Sequence, residues 1–282
     1  MSTESRLLPV VAITGSSIMV ACGGYSGGSC GSFGSFGSYG SFGSFGMRRV
    51  SAKRAPAART AAPYMCPTSI GADGVYEGVL TNDANQQQTS VVAIIADNGE
   101  GRMSAQDGTY YRLNVSSSGA SVSGSFSGFS QGATFPDGRQ STSGSLAATI
   151  TQSGLGGALT DQSGDKVGLS LRFDSVYGVT SALSTLVGTW SYSVTGFSMT
   201  ATIHTDGTFS ANDSNNCTYS GTFGLIDPRF NAYSESFMRS CDGTSMMFAG
   251  LATYIPGTSS TPTEIRMLAD DNSGDYLAAV LK

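Results

Sequence analysis

Histidine is almost missing from this chain of 282 residues: His204 is the only one, and no Cys-x-x-Cys pair accompanies it. A zinc site of ordinary type needs more imidazole and thiolate than that. A Ser-His-Asp hydrolase would have to recruit His204, two residues before Asp206, and no Gly-x-Ser-x-Gly elbow stands in the strand-to-helix setting such chemistry uses. Charged residues are only 12% of the chain, with Lys, Glu and Arg too sparse to build many amphipathic helices. The longest apolar run, Leu7 to Ala21, is about fifteen residues, short for a membrane span. Most acids stand in turns, so nothing singles out a facing carboxylate pair for glycoside hydrolysis. The formal charge of −5 hides an asymmetry. Residues 1–60 carry six basic side chains against Glu4, a net of +5, while residues 61–282 carry a net of −10. That acidic part lacks the positive face that phosphates require, so no nucleic-acid partner is expected.

What the chain does have is one unit written twice. Gly74-Val75-Tyr76-Glu77-Gly78-Val79-Leu80 answers Gly188-Thr189-Trp190-Ser191-Tyr192-Ser193-Val194. Val92 to Gly99 answers Thr200 to Gly207, and Val122 to Phe126 answers Tyr219 to Phe223. Ser163 to Leu171 answers Ser273 to Leu281, the best-matched block. The copies, 74–171 and 188–281, are near-equal in length and keep one block order. They predict tandem domains over 71–180 and 181–282, each of common domain size.

Within each copy, alternating stretches such as Ser198 to Ile203, Thr244 to Tyr254 and Glu264 to Leu268 read as strands. Asp97-Asn98-Gly99, Thr205-Asp206-Gly207 and Cys241-Asp242-Gly243 read as hairpin turns, where these residues tolerate positive φ. Seven or eight strands per copy with no crossover helices make an antiparallel meander. The expected fold is all-β: two tandem meander β-barrels, closure removing the sheet edges, with β-sandwiches as the alternative. Asp270-Asp271-Asn272-Ser273-Gly274-Asp275 is oxygen-rich in the manner of a calcium loop. Asp161 to Asp165 occupies the same place in the first copy, which suits a structural hairpin. No metal and no cofactor is expected.

The N-terminal run reads as the h-region of an export signal. It ends Ile18-Met19-Val20-Ala21-Cys22-Gly23-Gly24, which resembles a bacterial lipobox, so residues 1–22 are assigned as a lipoprotein signal with Cys22 as the lipidation site. The other reading is an ordinary signal peptide cut near Ala21. Residues 23–70 follow as a disordered tether. Gly31 to Gly46 repeats Gly-Ser-aromatic triplets that cannot offset the entropy of ordering, and residues 48–63 are basic. With Cys22 set aside, Cys217 and Cys241 flank a hairpin-like stretch of the second copy and are predicted to pair in an exported protein. Cys30 and Cys66 stay open.

Gly188-Thr189-Trp190, with Gly74-Val75-Tyr76 in its place in the first copy, resembles the Gly-x-Trp opening of lipocalin-type barrels. Together with the lipobox and the tether, the pattern is similar to bacterial surface and outer-membrane lipoproteins that display small β-barrels, such as the barrel lobes of transferrin-binding protein B. The resemblance implies an outer-membrane, lipid-anchored protein with periplasmic or surface-exposed barrels. The absence of a catalytic constellation then points to a non-enzymatic binding module for a protein or an apolar small molecule. Trp190, Tyr192, Phe197, Met199, Met247 and Tyr254 are the candidate lining of a barrel pocket. The alternatives are a self-associating structural component of the envelope and an inhibitor or immunity protein whose acidic surface suits a basic hydrolase.

Overall fold

A computed structural model describes residues 71–131, 135 and 138–282. The assigned signal, Cys22 and the tether therefore lie outside the described residues. Eight strands follow one another in the first copy: β1 (Gly74–Asn82), β2 (Gln88–Ile95), β3 (Glu100–Ala105), β4 (Thr109–Ser118), β5 (Ser121–Ser130), β6 (Ser141–Ile150), β7 (Gly154–Asp161) and β8 (Lys166–Asp174). Each pairs antiparallel with the next, and β8 returns to β1, from Val75 opposite Asp174 to Asn82 opposite Val167. The result is a closed barrel.

A 3-10 turn, Ser175–Gly178, and one short helix, α1 (Leu183–Leu186), lead into the second copy. It comprises β9 (Gly188–Val194), β10 (Phe197–Ile203), β11 (Thr208–Asp213), β12 (Thr218–Leu225), β13 (Tyr233–Cys241), β14 (Thr244–Ile255), β15 (Glu264–Asp270) and β16 (Tyr276–Leu281). These form an eight-stranded antiparallel meander with the same strand order. Its two ends are joined by a pair of backbone hydrogen bonds between Ser191 and Lys282, 2.8 and 2.7 Å. The second sheet is thus barrel-like, with a long seam where the first is fully laddered.

The duplication is visible in one shared device. Gly99 and Gly207 end the β2–β3 and β10–β11 turns at φ +86° and +83°. Each carbonyl accepts a 2.8 Å hydrogen bond from the fourth strand of its own barrel, from Val115 N–H and Phe223 N–H respectively. A β-carbon at either glycine would fall 2.2 or 2.5 Å from the carbonyl oxygen of that same residue, so only glycine fits. This pairing corrects one block of the sequence alignment. Tyr219 to Phe223 lies on β12, the fourth strand, whereas Val122 to Phe126 lies on β5, the fifth. The true counterpart of Tyr219 to Phe223 is Tyr111 to Val115. The other three blocks match equivalent strands, β1 with β9, β2 with β10 and β8 with β16.

Alternation along each strand fills the interiors. Tyr76, Leu80, Met103, Tyr111 and Phe126 point into the first barrel. Phe209, Phe223, Phe237, Phe248 and Met267 point into the second, where Phe237 and Phe248 stack with ring centres 5.2 Å apart. A third apolar cluster lies between the barrels, drawing Val75, Ile94 and Tyr110 from the first and Leu251, Leu268 and Tyr276 from the second. Outer-face residues of two barrels are buried there against each other.

Candidate functional site

The pocket expected inside the second barrel is filled. Tyr192, Phe197 and Met199 are buried core residues, and Trp190 and Tyr254 pack against that core half-buried. Trp190 Nε1–H donates to the Leu186 carbonyl at 2.7 Å, and its ring meets Tyr254 edge-on at 6.4 Å. Phe209, Phe223, Phe237 and Met199 surround a void of about 10 Å³, the room of roughly one water molecule. Met247 is a correction: it stands on the outer face, 54% exposed. Phe248 points inward, so its neighbour Met247 must point out, and Met246 is the methionine that packs on the interior. Adjacent methionines on a strand take opposite faces, and composition does not say which.

The remaining sequence candidates have structural places. Cys217 and Cys241 form a disulfide across the β12–β13 hairpin, their Cα atoms 4.4 Å apart. His204 is exposed at the end of β10, its backbone closing the turn to Gly207 and Thr208. Asp206 accepts from the Thr208 N–H at 3.0 Å and from its hydroxyl at 2.7 Å; the Thr208 hydroxyl and backbone N–H bonds hold this carboxylate low. Asp161 and Asp271 both fold back on their own turns, each accepting from the N–H groups two and four residues on. For Asp271, partial burial works to raise the carboxyl, but bonds from the Ser273 hydroxyl and the turn N–H groups outweigh it and hold it low.

The junction between the barrels carries charges that the sequence did not single out. Asp270, at the end of β15, has a side chain 1% exposed. Arg112 Nη2 reaches its Oδ1 at 2.6 Å, and Arg102 Nε lies 3.2 Å from its Oδ2. Tyr110 donates its hydroxyl to Oδ2 at 3.4 Å and stacks on Tyr276 with centres 4.9 Å apart. Arg102 also meets Glu100 at 2.8 Å. Burial pushes the Tyr110 hydroxyl well above its ordinary range, with the Arg102 charge opposing.

Glu235 on β13 shares its parity with the inward-facing Tyr233 and Phe237 and stands opposite Gly250 of β14. It is 2% exposed, and neither carboxyl oxygen has a hydrogen-bond partner. The Leu268 backbone approaches without completing a bond. Burial pushes this carboxyl well above the usual carboxylate range, opposed by the Arg102 charge.

A second polar feature lies on the outside of the first barrel. Strand register sets two rows side by side across β8, β1, β2 and β3. One row runs Ser170, Val79, Ser90; the next runs Arg172, Glu77, Val92, Ser104. These residues line a groove of about 510 Å³, within the range of ligand clefts. Glu77 is its fixed point: Arg266 of the second barrel donates to Oε1 at 2.6 Å, and Arg172 lies 4.0 Å from Oε2. The groove therefore borders the junction, where small-ligand sites commonly form. Its polar residues are serines, Gln106 and one carboxylate–guanidinium pair, a set suited to recognition rather than proton transfer. Compared with protein-family models, with curated proteins and with solved structures, the chain matches none.

Proposed function

We propose that this chain is a non-enzymatic binding module of the bacterial envelope, anchored through lipidated Cys22, and that the groove on the first barrel is its binding face. The observation that carries the reading is the contrast between inside and outside. The second barrel is packed to a void of about 10 Å³, while a concavity some fifty times larger opens on the outer face of the first. The void in the second barrel is too small for an apolar guest. A partner seated against the first barrel has room. The described residues hold no helix long and apolar enough to cross a membrane, which is compatible with attachment through a lipid. The acidic charge of residues 61–282 suits display above an anionic bilayer better than adsorption to it.

Two measurements test this. The chain expressed with its own leader should sediment with membranes, and Cys22→Ser should move most of it to the soluble fraction, since the lipid anchor is lost, at about 0.8 kcal/mol per buried CH₂. Native mass spectrometry of the protein from its own envelope should show a bound mass that disappears in Ser90→Trp, which fills the groove from an exposed position. Unchanged membrane association of Cys22→Ser would remove the anchor. A bare mass before and after the groove substitution would remove the binding face.

A further inference from the structure

Resting on that reading, we infer that the groove of the first barrel takes a short neutral glycan, held by its hydroxyls. The ladder geometry argues for the ligand class. Neighbouring strands lie about 4.8 Å apart, so the row Arg172, Glu77, Val92, Ser104 spans roughly 14 Å, the width of three strand gaps. In the row beside it a small apolar spot is bordered by hydroxyls: Val79 sits between Ser170 and Ser90, while Val92, 5% exposed, lies at the floor between Glu77 and Ser104. A pyranose ring presents that pattern in reverse, with C–H faces bordered by hydroxyls at its edge.

The polar groups match in kind as well as in place. Serine hydroxyls both donate and accept, as sugar hydroxyls do. Glu77 keeps Oε2 at 4.0 Å from Arg172, beyond hydrogen-bond reach, so this oxygen can accept from a sugar hydroxyl. Arg172, 76% exposed, can donate to the next. Opposite charges already face each other at one end of the row, Arg172 beside Glu77, so a ligand charged either way gains one and opposes the other there. An extended peptide is the competing occupant, and the topology disfavours it. Strand addition needs a free sheet edge, and the first barrel has none, with β8 paired to β1 over eight residue pairs.

The test uses the full-length protein and three defined ligands, maltotriose, cellotriose and chitotriose, by isothermal titration and by changes in amide NMR signals of β1, β2, β3 and β8. At least one should bind and perturb those strands. Arg172→Gln should weaken it about tenfold or more, the effect of one charge-assisted hydrogen bond, and Ser90→Trp should abolish it. Glu77→Gln should do the same but also touches the Arg266 bridge, so Arg172→Gln is the decisive variant because its exposed side chain is not part of the junction. The thermal midpoint of each variant confirms that it is folded. Failure of all three sugars overturns the inference, as does binding that survives Ser90→Trp. If an unstructured peptide binds instead and Ser90→Trp blocks it, the ligand class falls while the groove stands as the binding face. If neither class binds at the groove, both readings fall.

Discussion

Asp270→Ala should lower the stability of the folded chain by about 3–5 kcal/mol, the usual cost of removing one partner from a buried ion pair. The argument is one of stranded charge. Arg102 has a side chain only 6% exposed and lies against Asp270 from the opposite barrel. Without the aspartate its guanidinium keeps Glu100, which is itself 40% exposed, and the Gly101 carbonyl at 3.0 Å. Arg112, 30% exposed, can turn toward water and loses less. Tyr110 loses the acceptor of its hydroxyl in the same step. Urea unfolding followed by tryptophan fluorescence reads the result, because Trp190 is the single tryptophan and sits in the second barrel. The double variant Arg102→Met, Asp270→Leu should recover most of the loss, since apolar side chains of similar volume often replace a buried pair at little cost. A midpoint for Asp270→Ala within about 0.5 kcal/mol of the parent would mean that the ion pair is not buried in solution and that the barrels do not meet as described.

That junction explains where sequence reading succeeded and where it stopped. Turn residues and strand-opening glycines announced a tandem meander, because Gly99 and Gly207 do one backbone job that no other residue can do. The disulfide was readable from Cys217 and Cys241 flanking one hairpin. The third repeat block slipped by one strand because β5, Ser121–Ser130, is Gly/Ser-alternating and resembles any other strand of this composition. Met247 failed for a related reason: a period of two gives alternation but not phase. The junction itself is assembled from single residues far apart in sequence, Arg102 and Arg112 with Asp270, Glu77 with Arg266, so no local pattern announces it. One signal was available. Val91-Val92-Ala93-Ile94-Ile95 is an unbroken apolar run buried throughout, and a barrel strand wetted on its outer face would alternate instead. Such a run says that the outer face of β2 is covered at its Ile94 end, where it joins the cluster between the barrels. The groove had no signal of its own, because serine and valine on a strand read as ordinary solvated surface until the register sets them in rows.

Glu235→Leu should stabilise the protein at pH 7 by about 1–3 kcal/mol, the range for relieving a buried polar group that has no partner. Both carboxyl oxygens lack hydrogen bonds inside the second barrel, and the side chain stands between Tyr233 and Phe237 on the inward face, where leucine is the natural occupant. The sign of the pH dependence follows from the raised carboxyl. The folded state holds the Glu235 proton more tightly than the unfolded chain does. This stabilising contribution is therefore complete below the ordinary glutamate range, near 4.5. It declines as pH rises from there until the buried group itself ionises, with a slope of at most about 1.4 kcal/mol per pH unit. The groups that set its environment are Arg102, which favours ionisation, and the apolar surroundings, which oppose it more strongly. Tyr110 shares that neighbourhood from the first barrel. Glu235→Gln keeps the shape and removes the titration, so the difference in stability between parent and variant, measured by urea unfolding from pH 4 to pH 8, should grow with pH in the variant's favour. A difference that stays flat, or a Glu235→Leu protein less stable than the parent at pH 7, would mean that Glu235 is ionised in the fold and serves as a counter-charge to Arg102. Arg102 would then answer two carboxylates, Asp270 at the junction and Glu235 within the second barrel, and the loss predicted for Asp270→Ala would shrink accordingly, so the two substitutions together decide which charge balances Arg102.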